Sequence, residues 1–498
     1  MVQIKTALNY IRQLAGQTMV YGFGIIVPRL LNFLLLTPFY TRIFDKAEYG
    51  IITELYAYVV FLMVFLTYGM ETAYFRFSDS ENKNKNIYKS ALGALFTTSL
   101  LFIFLASVFS DSIATLIDYP DHPEYIIYIA LIVAIDSFTT IPFARLRLEN
   151  KPIKYSLIRI CEILINITGN WFFLYYSPRH PDNNLVSLIY NPEIGVGYVL
   201  ITNLISNIFK IFALSKEILF PGGKFDFAML RRMLVYSLPL LIAGLAGTVN
   251  EALDRVLIKY LIPAQNNPME QLGIYGANFK MAVLMTLFIQ MFRYAAEPFF
   301  FSKKDEKNAG HIYATVMKYF VFSGMVIFLF VMFFMDIFKY FIGKQFWEGL
   351  EIVPIVLLAN LLMGIFYNLS IWYKLTNKTI YGAYLVIAGG LVTILVNWLF
   401  IPQYGYYASA WGHLISYSIM VILSYVYGQK FYNIPYDLKR ILLYVLIAFS
   451  FYLFSSGLDL KSVHMKYLLN TLLIITYAGI FYVLERRFSG GKIKKIIE

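Results

Sequence analysis

The sequence predicts an all-α polytopic membrane protein of about 14 transmembrane helices, and three observations predict it. Of 498 residues, 59% are hydrophobic and only 14% charged, with a mean hydropathy of +0.62. A chain of this length with a wetted surface needs far more charge. Apolar runs of about 20 residues, long enough to cross ~30 Å of hydrocarbon, recur from one end to the other. Lysine and arginine, finally, divide unequally between alternate loops, as membrane insertion requires.

The N-terminal stretch "MVQIKTALNYIRQLAGQ" has no apolar core followed by a small-residue cleavage site, so it reads as an amphipathic lead-in and not a signal peptide. Apolar runs between polar breaks then give spans at 18–40, 50–73, 90–110, 125–144, 156–176 and 194–214. The second half gives 233–260, 272–297, 312–335, 350–372, 380–400, 406–428, 440–456 and 467–485. With the N-terminus in the cytoplasm, the helices alternating and cations near span ends counted with the adjoining loop, 30 of the 42 Lys and Arg lie on the inner side, eight on the outer side and four deeper within spans. One helix more or fewer would invert every later loop and destroy this bias, so both termini are expected inside. The loops are too short for a folded domain; the longest outer one covers 177–194.

The net charge of +12 belongs, on this topology, to loops beside anionic lipid headgroups, and no nucleic-acid partner is expected. A single cysteine, Cys161, excludes an intrachain disulfide. The segments 48–77 and 271–301 resemble each other, which sets helix 2 against helix 8. This repeat implies an N-terminal lobe at 1–215, a C-terminal lobe at 216–430, and two extra helices with a basic cytoplasmic tail at 431–498. Each lobe then holds six helices of the same orientation.

Charge near the bilayer centre costs roughly 2.5–3.5 kcal/mol on insertion scales, so such residues mark cavities or partners. The candidates are Arg29 with Asn32 in the first span, Asp136 in the fourth, Glu162 in the fifth, Asn250, Glu251, Asp254 and Arg255 in the seventh, and Lys280 in the eighth. Glu251–Arg255 and Arg293–Glu297 have the spacing of intrahelical ion pairs. Polar stripes run along Arg159, Glu162, Asn166 and Asn170, along Asn203, Asn207 and Lys210, and along Asn360, Gly364 and Asn368. Such stripes face away from lipid, as interhelical hydrogen bonds or as the lining of a hydrated cavity between the lobes. Asp136 reads either as the partner of a neighbouring helix or as an ion-coupling site.

Arg29 and Lys280 have no acidic residue three or four positions away. An arginine stays charged, so Arg29 calls for water, a distant acid or an anionic ligand. Arg29, Asn32, Arg255 and Lys280 are accordingly the substrate-cavity candidates, and Asp136, Glu162, Glu251 and Asp254 the ion-coupling or cavity candidates. The stretch "PGGKF" lacks the spacing and hydroxyl of a nucleotide-binding loop. The five histidines are scattered, so neither a metal nor a cofactor is expected. His413 reads as an interhelical donor or a proton relay.

The stretch "PRLLNFLLLTPFYTRIFDKAEYG" (28–50) resembles the first-helix signature of the Wzx-like polysaccharide-export flippases of the multidrug/oligosaccharidyl-lipid/polysaccharide superfamily. "DRVLIKYLIP…LGIYGANFKM" (254–281) and "MFRYAAEPFFF" (291–301) resemble the helix 7–8 region of that family, which is related to the MATE transporters and lipid II flippases. The resemblance implies a cell-membrane protein that flips an undecaprenyl-diphosphate-linked oligosaccharide to the outer leaflet by alternating access, in lipopolysaccharide or O-antigen assembly. It implies membrane lipids, the lipid-linked cargo and polysaccharide polymerase or assembly proteins as partners. A cation-coupled multidrug antiporter of the same superfamily would favour acidic cavity residues. A membrane polymerase or glycosyltransferase would need a larger outer loop.

Overall fold

Nearly every described residue of the computed structural model is helical, and no strand occurs among them. The structure describes residue 24 and residues 26–80, 85–458 and 462–497. The expected N-terminal lead-in and the start of the first span lie outside the described residues.

Helix α1 (26–43) contains a π-helical turn at Asn32–Leu36, four residues after Pro28. Helices α2 (Lys46–Ser78), α3 (Lys85–Val108), α4 (Pro123–Leu148) and α5 (Pro152–Arg179) follow, and then a shorter apolar helix, α6 (Gly197–Ala213). The chain continues through α7 (Phe227–Leu261), α8 (Pro268–Ser302), α9 (Ala309–Phe333), α10 (Lys344–Leu375), α11 (Ile380–Tyr404), α12 (Tyr406–Phe431), α13 (Leu438–Ser456) and α14 (Val463–Arg487). Twelve of these, α2–α5 and α7–α14, are long and apolar enough to cross a membrane. This is a multi-pass membrane protein. Residues through Lys259 form one compact unit and residues from Tyr260 a second.

Local chemistry sets the helix ends. At the start of α2 the Asp45 carboxylate accepts from the Glu48 backbone N–H at 2.8 Å, and the Glu48 carboxylate accepts from the Asp45 N–H at 2.9 Å. This reciprocal box satisfies two donors that a helix start leaves open. Helix α2 breaks at Tyr68 and Gly69, both left-handed with φ of 35° and 70°. A side chain on Gly69 would meet Leu240 Cβ at 3.1 Å, a tight approach by α7, and the left-handed backbone itself favours glycine there. Helix α8 is interrupted by a 3-10 turn at Lys280–Ala282.

The packing is inverted relative to a soluble protein. Phe96, Leu100, Phe104 and Val108 recur at helical spacing on α3 and are half or more exposed. Leu391, Ile394, Leu395 and Trp398 form the same kind of stripe on α11. Meanwhile Asn170, Asn207, Lys210, Asp254, Asn278 and Asn397 are buried. Apolar faces turned outward and polar groups turned inward are what a lipid solvent selects.

Candidate functional site: a buried charge cluster

The sequence spread its candidate residues over five helices; the first unit draws two of them, Asp136 and Glu162, to one place. Helix α6 does this. Its polar stripe meets a different neighbour at each step: Asn203 Nδ2 donates to the Tyr56 hydroxyl on α2 at 2.7 Å, and Asn207 Nδ2 to the Ile132 carbonyl on α4 at 3.3 Å. Lys210, the last of the stripe, donates to Asp136 Oδ1 on α4 and lies 3.0 Å from Glu162 Oε1 on α5. The other Glu162 oxygen, Oε2, takes Arg159 Nη1 at 3.1 Å. The Arg159 guanidinium also sits over the Phe143 ring at 4.1 Å.

Lys210 has no exposed surface, whereas Glu162 keeps 19% and Asp136 27% of its side chain accessible. With both carboxylates ionised, the four formal charges cancel. That balance matters, because a lone charge in a low-dielectric interior carries a desolvation cost that only a close partner offsets. The approach of α6 to α5 is equally close above this point. A side chain at Gly169 would meet Thr202 Cγ2 at 2.9 Å. Asn170 Nδ2 binds Thr202 Oγ1 at 2.7 Å and Asn166 Oδ1 at 2.6 Å. Asn170 thus ties α5 to α6, with Asn166 as its partner on the same helix.

A second buried charge went unnoticed in the sequence. Glu54 on α2 is fully buried and accepts from the Tyr58 hydroxyl at 2.8 Å and the Tyr119 hydroxyl at 2.5 Å. Lys259 on α7 reaches it at 3.0 Å and lies 4.2 Å from the centre of the Tyr119 ring. The one sequence signal was an acid inside an apolar span with a tyrosine four residues on. Beside this cluster is an apolar cavity of about 400 Å³, lined by Tyr58, Phe61, Phe102, Ile129, Leu253 and Val256 among others.

The remaining candidates occupy varied settings. Arg29 and Asn32 are exposed, and Asn32 opens the π-turn of α1. On α7, Asp254 and Asn250 are buried, Glu251 is exposed, and Arg255 donates to the Glu251 backbone carbonyl at 2.8 Å. Lys280 is half-buried on the 3-10 turn of α8. His413 is buried between the rings of Phe279 and Tyr417.

One expected pairing differs. Glu297 binds Lys374 on α10 at 2.8 Å, and Arg293 lies over the Tyr367 ring at 4.3 Å. Both partners come from one packed helix, and that packing overrides the weak intrahelical attraction. Among the described residues, no group of three or more His, Cys, Asp or Glu is placed to hold a metal ion.

A family model described as "Polysaccharide biosynthesis protein" matches residues 14–304. No curated protein sequence matches the chain. Among solved structures, lipid II flippase MurJ in its inward closed conformation is similar at a TM-score of 0.70 and 16% identity, over 95% of this chain and 99% of that one. An inward-facing multidrug resistance MATE transporter is similar at 0.63 and 12% identity, over 83% and 94%. MATE in the straight conformation gives 0.61 and 14% identity, over 84% and 95%. Identities this low establish a shared fold.

Proposed function

Because the chain belongs to the polysaccharide biosynthesis protein family and shares the fold of MurJ and the MATE transporters, we propose that it is a flippase for a lipid-linked oligosaccharide. It carries an undecaprenyl-diphosphate-bound repeat unit from the cytoplasmic to the outer leaflet of the cell membrane by alternating access, through about 14 spans with both termini inside. The family match is the observation that carries this reading, since it ties the chain to glycan assembly while the fold ties it to transport.

The chemistry of the first unit supports it. The cargo head is a compact polyanion, and arginine binds phosphate through two parallel hydrogen bonds. Arg29 and Asn32 are exposed on successive turns of α1 and supply a cation and an amide there; Arg255 and Lys280 are the further head-group candidates. Lobes at 1–215 and 216–430, with 431–498 appended, belong to the same reading, as does the pairing with membrane lipids and polysaccharide polymerase or assembly proteins. A multidrug antiporter would present acids to a cationic drug. Here Asp136 and Glu162 are already engaged by Lys210 and Arg159, which favours the anionic cargo.

Gene deletion with lipid analysis tests the reading. Loss of surface polysaccharide together with build-up of lipid-linked repeat units in the inner leaflet is the expected result. Intact glycans with raised drug sensitivity would overturn it. Arg29→Ala, expressed in the deletion strain, should accumulate in the membrane without restoring the polysaccharide; full complementation would remove Arg29 from the site.

A further inference from the structure

We infer that Lys210 is the resident cation of the first unit's polar centre, standing between Asp136 and Glu162 where an alkali-metal ion would have to bind. The geometry carries this. The ammonium is a hydrogen-bond donor to Asp136 Oδ1 and lies 3.0 Å from Glu162 Oε1, on a side chain with no exposed surface. The second Glu162 oxygen is taken by Arg159 at 3.1 Å. A hard monovalent ion needs several oxygens around it, carboxylates foremost. Three of the four carboxylate oxygens, Asp136 Oδ1 and both of Glu162, are already engaged by nitrogens. A sodium ion entering beside Lys210 would meet a fixed positive charge at close range with little solvent to screen it.

The same arrangement shows what the lysine replaces. Without the ammonium, two part-buried carboxylates remain around the space it fills, with the buried Asn207 one turn earlier on α6. Its Oδ1 is buried and accepts no hydrogen bond among the described residues. That is an oxygen-rich, anionic hole of the kind sodium occupies. Lys210 fills it with a cation that cannot leave, because it is part of the chain. As a statement about energy coupling this rests on the transport reading: a sodium gradient does not act through the first unit. As a statement about cation binding it stands apart from that reading.

The test uses the purified full-length protein in detergent, melted in sodium chloride and in choline chloride at equal ionic strength. In the wild type, Asp136→Asn should leave any sodium response unchanged. Lys210→Ala should gain a saturable, sodium-specific rise of at least about 2 °C, as expected for a ligand that binds only the folded state. Adding Asp136→Asn to Lys210→Ala should abolish the gain. Lys210→Ser serves as a second variant should the alanine fail to give a monodisperse protein; if neither folds, the wild type against Asp136→Asn decides. A sodium response of the wild type that Asp136→Asn removes would overturn the inference, as would a folded Lys210→Ala or Lys210→Ser with no gained response. A failed deletion phenotype would count against the flippase reading and leave these melts untouched.

Discussion

The two units solve the same problem with different chemistry. Both must satisfy polar groups buried among membrane helices. The first unit does so with charge: Arg159, Glu162, Lys210 and Asp136 in one chain of contacts, and Glu54 with Lys259 in another. The second relies more on amides and hydroxyls. Asn278 donates to the Phe346 carbonyl at 2.8 Å, Ser409 to Asn397 Oδ1 at 2.9 Å, Ser416 to the Gly389 carbonyl at 2.9 Å, and Asn470 to the Phe333 carbonyl at 2.7 Å. It adds one largely buried ion pair, Lys318–Glu485, and a part-exposed one at helix ends, Lys466–Asp336. A neutral hydrogen bond holds helices at modest cost when broken. A balanced charge cluster is expensive to unbalance. The difference teaches where function is to be sought: the first unit keeps groups whose value lies in their charge.

That contrast can be broken experimentally. The largest effect should come from Lys210→Met, which strands the part-buried Asp136 carboxylate and leaves Glu162 with Arg159 alone; it should cost about 3 kcal/mol of stability, read as a fall in melting temperature. Adding Asp136→Asn should recover most of the loss by leaving the Arg159–Glu162 pair alone. If the single variant melts like the wild type, charge balance is not what holds α4, α5 and α6 together. In the second unit Asn397→Ala leaves the buried Ser409 hydroxyl without its acceptor and should cost less, about 1–3 kcal/mol. There the double variant with Ser409→Ala should be nearly as stable as the single one.

The smallest effect lies between α9 and α10. Hydrogen bonding from Lys466 holds the Asp336 carboxyl below its usual range; burial opposes this, and Lys339 adds to the lowering. A depressed carboxylate stabilises the fold above its unfolded value of ~3.9 and loses that contribution as pH falls through the lower, folded value. Asp336→Asn should therefore cost a small amount of stability at neutral pH and lose the acid-dependent fall below about pH 4, so that the two profiles converge in acid. An unchanged acid profile would show that Asp336 carries no pH-linked stability.

The fold class was legible because lipid imposes a composition and a loop-charge bias that few other environments share. Asp136 and Glu162 were legible as charges inside apolar spans. That Lys210 joins them was not, because the three residues come from three helices and helical spacing speaks only of one. Asp136 does pair with a neighbouring helix, one of its two readings. Arg293 and Glu297 show the same limit from the other side. Their spacing suggested a mutual pair, yet α10 supplies a ring to one and an ammonium to the other. Glu54 escaped because one acid among "ITELYAYVVF" leaves the span apolar, and its lysine lies 205 positions away. The sequence also gave α6 the same standing as its neighbours, whereas the helix is only 17 residues long.

The most direct test of the account is translocation in proteoliposomes. Full-length protein is reconstituted with a fluorescent undecaprenyl-diphosphate oligosaccharide loaded in the inner leaflet, and the fraction reached by an added impermeant glycosidase is measured over time. The account predicts that this fraction climbs toward full digestion with wild-type protein, and stays at the protein-free level with Arg29→Ala incorporated to the same density. Wild-type vesicles that protect the inner-leaflet lipid as well as empty ones would contradict it.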